Sequence, residues 1–136
     1  MSWIFLPLDG SVNRDNFDCG NSDLNEYLKK YARQSHRKGI ATTFIAIPET
    51  ENRNVVGYYS VSMAEIKRES LPETYRQGLP RYPLPAMRVG KLAVDKTMQG
   101  RGLGKVLLME CFKKAVRLSS EVGIFAIAVD AFDEEA

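Results

Sequence analysis

The sequence predicts an α/β fold on one mixed sheet, antiparallel in its N-terminal half and completed by a parallel βαβ unit. Three observations predict it. Residues 21–38 and 103–118 repeat apolar side chains with the period of a helix. The β-branched and aromatic runs 42–47 and 54–66 flank the polar turn "PETENR", as the strands of an antiparallel hairpin do. Residues 87–131 then read strand, glycine loop, helix, strand, a right-handed crossover between parallel neighbours. At 136 residues the chain, 1–136, is expected to form a single domain with a sizeable core.

The first element is a short strand, Trp3–Leu8, broken by Pro7. In "CGNSDLNEYLKKYARQSHRKG" the residues Leu24, Tyr27, Leu28, Tyr31 and Ala32 share one helical face. Asn21 or Ser22 caps its start, and Gly39 suits a left-handed stop. "TTFIAI" at 42–47 is ended by Pro48. Along 54–66, Val55, Gly57, Tyr59, Val61 and Met63 alternate with Val56, Tyr58, Ser60, Ser62 and Ala64. Pro72, Pro80, Pro83 and Pro85 make 67–86 a loop with at most a short helix. "MRVGKLAVD" at 87–95 is a strand in which Gly90 marks a bulge or a close backbone approach. Helix 103–118 turns Leu103, Leu107, Leu108, Cys111, Phe112, Ala115 and Leu118 inward and leaves Lys105, Lys113, Lys114 and Arg117 outside. "GIFAIAVDA" at 123–131 is nearly continuously apolar, the pattern of a strand covered on both faces.

Composition narrows the class. Hydrophobic residues at 44% and charged ones at 26% are ordinary for a soluble globular protein. The longest apolar run, "IFAIAV" at 124–129, is too short to span a bilayer. "MSWIFLPLDG" has no basic leader, so no secretory signal is expected. Cys19 and Cys111 have no metal-ligand spacing, so no metal is expected, and a reducing cytoplasm is the expected location.

The net charge of +2 hides an uneven distribution. Residues 21–38 hold Lys29, Lys30, Arg33, Arg37 and Lys38 against Asp23 and Glu26. Residues 67–91 hold Lys67, Arg68, Arg76, Arg81, Arg88 and Lys91 against Glu69 and Glu73. The four acids Asp130, Asp133, Glu134 and Glu135 end the chain, and without them its charge would be +6. Such a cationic body can steer a polyanion, although solvated helix faces explain any single one of these residues equally well.

The chemistry centres on "QGRGLG" at 99–104. A glycine-rich turn between a strand and a helix commonly binds phosphate, because bare amides and the helix dipole converge there, although such a turn can also be purely structural. The dinucleotide fingerprint G-x-G-x-x-G fails: counting from Gly100 reaches Lys105, and from Gly102 reaches Leu107. The P-loop fails because Gln99 stands where its first glycine belongs and Val106 where Ser or Thr does. The pattern present is Gln99-x-x-Gly102-x-Gly104 behind a strand ending in "LAV".

That pattern resembles the pyrophosphate signature of the GNAT family of N-acetyltransferases, [R/Q]-x-x-G-x-[G/A]. The further stretches "FDCGNSDLNEYLKKYA", "GYYSVS", "KLAVDKTMQGRGLGKVLL" and "VDAFDEEA" are similar to the tRNA-acetylating toxins of type II toxin–antitoxin modules, from Phe17 to Ala136. The resemblance implies a GNAT-like mixed sheet whose strands ending at Val94 and Val129 splay apart, with acetyl-CoA inserted between them. Leu92, the expected catalytic backbone contact, and Val94 would bond the acetyl carbonyl and pantetheine amides. An N–H aimed at that oxygen has an oxyanion-hole role. Gln99, Gly100, Arg101, Gly102, Gly104 and Lys105 would hold the pyrophosphate.

By the same resemblance the acceptor is the α-amino group of an aminoacyl-tRNA, its acetylation blocks translation, and a small antitoxin, often of the ribbon–helix–helix type, is the partner. An α-amine titrates near ~7.7–8.0 and lower beside an ester, so it needs no strong base. Lys29, Lys30, Arg33, Arg37, Arg76, Arg81, Arg88 and Lys91 form the pool of candidates for tRNA phosphates. Lys91 replaces a common family Arg and lacks its bidentate fork.

His36, at the end of a basic helix, is expected to be exposed there, Cys111 to be core, and Tyr58, Tyr59, Tyr75 and Tyr82 to pack rather than act as acids. The chain is expected to be C-terminally truncated: it lacks the family's final helix, with its thiolate-protonating tyrosine, and the last strands. The 123–131 strand edge is accordingly expected to form a homodimer or domain swap. Two further functions stay open: acetylation of a small-molecule or protein amine, and an inactive form that binds CoA or a partner.

Overall fold

A computed structural model describes residues 2–50 and 52–130; Asp133, Glu134, Glu135 and the predicted strand end at 131 lie outside these. Five strands form one sheet in the order β1 (Trp3–Pro7), β2 (Thr42–Pro48), β3 (Gly57–Ile66), β4 (Leu84–Val94), β5 (Ala126–Val129). The first three pairings are antiparallel and β4–β5 is parallel, as expected from the hairpin and the βαβ pattern.

Helices cover both faces. On one, α4 (Leu103–Leu118) buries Leu103, Leu107, Cys111 and Ala115 against Tyr59, Val61, Met87, Val89, Leu92 and Val94. On the other, the helical segment made of α1 (Ser22–Glu26), the turn Tyr27–Tyr31 and α2 (Ala32–Arg37) covers Ile45, Ile47, Tyr58 and Ala93 with Leu28 of the turn and Ala32 of α2. Gly57 sits where α4 crosses β3, and a Cβ there would lie 3.0 Å from Leu107 Cδ1 and 3.1 Å from Leu103 Cδ2. The absent side chain lets the helix approach.

The first helix departs from a single regular stripe. Asn21 caps it, accepting from the Asp23 and Leu24 amides, and Gly39 stops it with φ +71°. Between α1 and α2, however, Tyr27–Tyr31 form a π turn. Its extra residue rotates the next turn of helix, so Tyr31 leaves the stripe and is half exposed. The Arg14 guanidinium donates to the Leu28 carbonyl at 2.9 Å within this turn. His36 is half-buried rather than an exposed helix end, because Thr43 N–H of β2 donates to its Nδ1 at 3.4 Å.

The proline-rich stretch is less irregular than the prolines imply. It contains a 3₁₀ turn (Arg68–Ser70), the short helix α3 (Glu73–Arg76), and the beginning of β4 at Leu84. Phe125 N–H donates to Pro85 O at 2.9 Å, so Pro85 presents its backbone to β5 and its missing N–H removes no bond to β3. Tyr75 and Tyr82, expected to pack, are both exposed on this excursion. Lys114, expected outside, is partly buried with its ammonium 3.8 Å above the Phe44 ring. The final strand is four residues long, not nine, and only half covered: it ends the described sheet order, and Phe125 and Val129 remain exposed.

Candidate active site

Gly90 is where the sheet opens. Ser60 pairs with Lys91 and the next β3 residue, Val61, pairs with Val89, leaving Gly90 as the extra residue of a bulge. Pairing of β5 with β4 covers Ala86–Val89 and ends there, with Asp130 N–H on Val89 O at 3.1 Å. From Gly90 to Val94 the strand has a neighbour on its β3 side alone among the described residues.

The backbone phase on the open side follows from one bond. Asp95 N–H donates to Val56 O at 2.9 Å across the Val94–Gly57 pair. In an antiparallel ladder that makes Val94–Gly57 a wide pair, so Val94 and Leu92 turn their N–H and C=O groups away from β3. Their side chains meanwhile are buried in the α4 layer. The two positions named from the sequence therefore present peptide groups to the fork.

Beyond Val94 the chain makes a 3₁₀ turn, Lys96–Met98, capped by Asp95. The buried Asp95 carboxylate accepts from Thr97 N–H at 3.0 Å, Thr97 Oγ1 at 2.6 Å and Asp18 N–H at 2.9 Å. The glycine loop comes next. Gly100 has φ +80° and Gly102 has φ +87°, a region other residues enter only with strain, and a Cβ on either would meet nothing within 4 Å. Gly102 is the N-cap of α4 and supplies no side-chain acceptor, so the first-turn amides of α4 keep their donors for something else. A cavity of about 170 Å³ lies over them, lined by Val94, Met98, Gln99, Gly100, Gly102, Leu103, Gly104 and Lys105.

Of the eight cofactor positions read from the sequence, six line this cavity: Val94, Gln99, Gly100, Gly102, Gly104 and Lys105. Leu92 is two residues up the strand, and Arg101 is exposed in the loop. Gln99 also acts as a tie. Its Nε2 donates to Val94 O at 2.9 Å and Cys19 O at 3.0 Å, joining the loop to β4 and to the turn before α1. Bare amides, a helix N-terminus and open volume fit a bound diphosphate.

The basic pool is not gathered into one cluster of equivalent charges. Arg88 makes a bidentate pair with Asp130, at 3.0 and 2.7 Å, which neutralises it beside the fork. Arg76 donates to Leu71 O and Glu69 O and braces the proline-rich excursion. Lys30 lies 3.6 Å from Glu26. Lys91 holds its ammonium 4.5 Å from the Tyr27 ring centre, and Tyr27 Oη lies 3.5 Å from Ser60 Oγ. Arg33 lies against Gly10, while Lys29, Arg37 and Arg81 are exposed.

Sequence reading missed Asp95, Tyr27 and Arg14. For Asp95 a local signal exists, since Asp-x-Thr ahead of a short turn is a cap pattern. Tyr27 and Arg14 act through tertiary contacts that no local pattern marks. Cys111 is fully buried and burial pushes its thiol up to about 12. Burial likewise raises the Tyr58 and Tyr59 phenols, and Tyr58 donates to Leu24 O at 2.7 Å, so both pack as expected. Among the described residues no group of three or more His, Cys, Asp or Glu side chains is placed to hold a metal ion. No helix among them is long and apolar enough to cross a membrane.

A strand forked at a glycine bulge above an anion cradle defines an acyl-CoA-using transferase. Residues 11–136 match the acetyltransferase (GNAT) family, and the chain belongs to it. It is 32% identical over 120 residues, 88% of its length and 70% of the relative's, to a tRNA-acetylating toxin of Mycobacterium tuberculosis (strain ATCC 25618 / H37Rv). Its fold is similar to AtaT complexed with acetyl-methionyl-tRNAfMet, with TM-score 0.90 and 29% identity over 98% of this chain and 80% of that one. It is also similar to an AtaT variant bound to the C-terminus of the antitoxin AtaR and acetyl-CoA, with TM-score 0.80 and 27% identity over 97% of this chain and 77% of that one.

Proposed function

We propose that this single domain is a bacterial, cytoplasmic N-acetyltransferase that moves acetyl from acetyl-CoA to the α-amino group of an aminoacyl-tRNA, and so blocks translation as the toxin of a toxin–antitoxin pair. The observation that carries the reading is the open cradle at the foot of the β4 fork, in a chain similar to a tRNA-acetylating toxin.

When bound, acetyl-CoA supplies an activated thioester. The first-turn amides of α4 and those of Gly100, Arg101 and Gly102 hold its diphosphate, with Arg101 and Lys105 adding positive charge. The Leu92 C=O and the Val94 N–H would align the pantetheine arm, the Val94 C=O being held by Gln99 Nε2, and the Leu92 N–H would be the donor for the acyl oxygen. The buried side chains of the α4 layer exclude water from the back of the fork. On the opposite face Tyr27, Ser60 and Lys91 bound the acceptor's approach.

Lys29, Arg37 and Arg81 are the exposed cations through which tRNA phosphates would be met; Arg88 contributes less because Asp130 already holds it. The partner is an antitoxin of ribbon–helix–helix type, and the outer edge of β5 (Ala126–Val129), last in the described sheet order, supports a homodimer or swapped pair.

The deciding experiment incubates this chain with labelled acetyl-CoA and a pool of charged tRNAs. Label in the aminoacyl-tRNA fraction, lost on prior deacylation, is the expected result. Label transferred equally to free amino acids or to protein would replace this acceptor with another amine.

A further inference from the structure

The stretch "FDCGNSDLN" carries part of the family likeness, yet none of its residues lines the cradle. Its contacts show what it holds. Asp18–Gly20 is a turn in which Gly20 takes φ +92°. Asn25 of α1 clasps it with both ends of its amide: Nδ2 donates to Asp18 Oδ1 at 3.0 Å, and Oδ1 accepts from Cys19 N–H at 2.9 Å. Asp18 Oδ1 also accepts from Gly20 N–H at 2.9 Å.

The clasped turn grips both ends of the segment entering the cradle. At the near end Lys96 N–H donates to Asp18 O at 2.8 Å, and Asp18 N–H donates to Asp95 Oδ1 at 2.9 Å. At the far end Gln99 donates to Cys19 O.

A cradle built on glycine cannot stiffen itself. Gly100 and Gly102 have no side chains to pack, and glycine loses more conformational freedom on ordering than any other residue. Tight binding by bare amides requires that this ordering be completed before the ligand arrives. The rigidity must come from outside the loop, and these hydrogen bonds lead back to the Asp18–Gly20 turn.

Building on the reading that the cradle holds the diphosphate of acetyl-CoA, we infer that Asn25 and Asp18 are positioning residues of that cradle. They touch no ligand. Asn25 and Asp18 fix the Cys19 carbonyl, the carbonyl fixes Gln99, and Gln99 sets the point at which the glycine loop leaves β4. The helix that opens the acceptor face thus also orders the donor site.

The test compares two ligands, acetyl-CoA and S-acetylpantetheine, which shares the thioester arm but lacks the diphosphate. Asn25→Asp removes the Nδ2 donor and sets a second carboxylate against Asp18. Calorimetry is expected to show acetyl-CoA bound about tenfold more weakly, the loss of one to two hydrogen bonds, with S-acetylpantetheine unchanged.

Unchanged acetyl-CoA affinity in Asn25→Asp overturns the inference. So does equal weakening of both ligands, which would make the turn a general support of the fold. Should Asn25→Asp fail to fold, Gln99→Leu cuts the same chain of bonds at its other end and must show the same selective loss. If the parent protein binds the two ligands equally, the diphosphate reading of the cradle itself falls, and the inference with it.

Discussion

At the residue scale the decisive feature is backbone that only glycine adopts cheaply. Gly102, at φ +87° with open space above it, is expected to tolerate neither a Cβ nor a charge. Gly102→Glu should abolish acetyl-CoA binding measured by calorimetry. Gly39→Ala, at φ +71° at the end of the first helix, serves as control: both cost about 1–2 kcal/mol in a left-handed position, but it should leave acetyl-CoA affinity intact. The thiols make a second prediction. Burial raises both Cys19 and Cys111, the latter to about 12, so at pH 8 a disulfide reagent should label Cys111 only as fast as the protein unfolds. Rapid labelling of Cys111 in the folded protein would contradict its place under α4.

At the element scale, the α4–β3 contact couples stability to the cradle. Gly57→Ala places a methyl against Leu107 and Leu103 and is expected to cost about 1–3 kcal/mol by overpacking. Because α4 carries the cradle on its first turn, acetyl-CoA affinity should fall with it; thermal melts with and without ligand would measure both. The β4–β5 junction responds to acid. Two hydrogen bonds from Arg88 hold the Asp130 carboxyl below the ordinary carboxylate range. A depressed folded pKa means the pair stabilises in full above the unfolded value of about 3.9 and is lost as pH falls through the lower folded value. Asp130→Asn should therefore flatten the drop in melting temperature below about pH 4 and change little at pH 7 beyond a small constant loss. An unaltered acid limb would mean that this exposed pair contributes nothing to the junction.

For the whole molecule, the exposed cations proposed to meet tRNA phosphates imply a salt-dependent affinity. If Arg37 meets a tRNA phosphate, Arg37→Ala should lower the slope of log affinity against log salt by about one. Arg88→Ala should leave that slope unchanged, since Asp130 already neutralises its guanidinium. Filter binding across a salt series distinguishes them, and equal effects would mean that the Arg88–Asp130 pair opens on binding.

Much of this architecture was legible along the chain, because it is local. Periodicity placed the helix at 103–118 to the residue, Asn21 and Gly39 marked the ends of the first helical segment, and Gly90 announced the bulge. The spacing Gln99-x-x-Gly102-x-Gly104 named a cradle that the fold then assembles. What the chain could not disclose depends on which distant groups meet. The π turn at Tyr27–Tyr31 and the exposure of Tyr31 have no periodic signature. Pro85 can lie within β4 only because its backbone faces β5, and the Arg88 charge is offset only because folding brings Asp130 beside it. Gln99 looks like a ligand residue in sequence and becomes a strut through the carbonyl of Cys19, 80 positions away. Sequence alone determined the order of the main helices and strands and the backbone freedom of the glycine loop, since conformational freedom and amphipathic period are properties of neighbouring residues. Tertiary structure alone decided which charges and amides remain available, because a hydrogen bond satisfied across the fold cannot also be offered to a ligand.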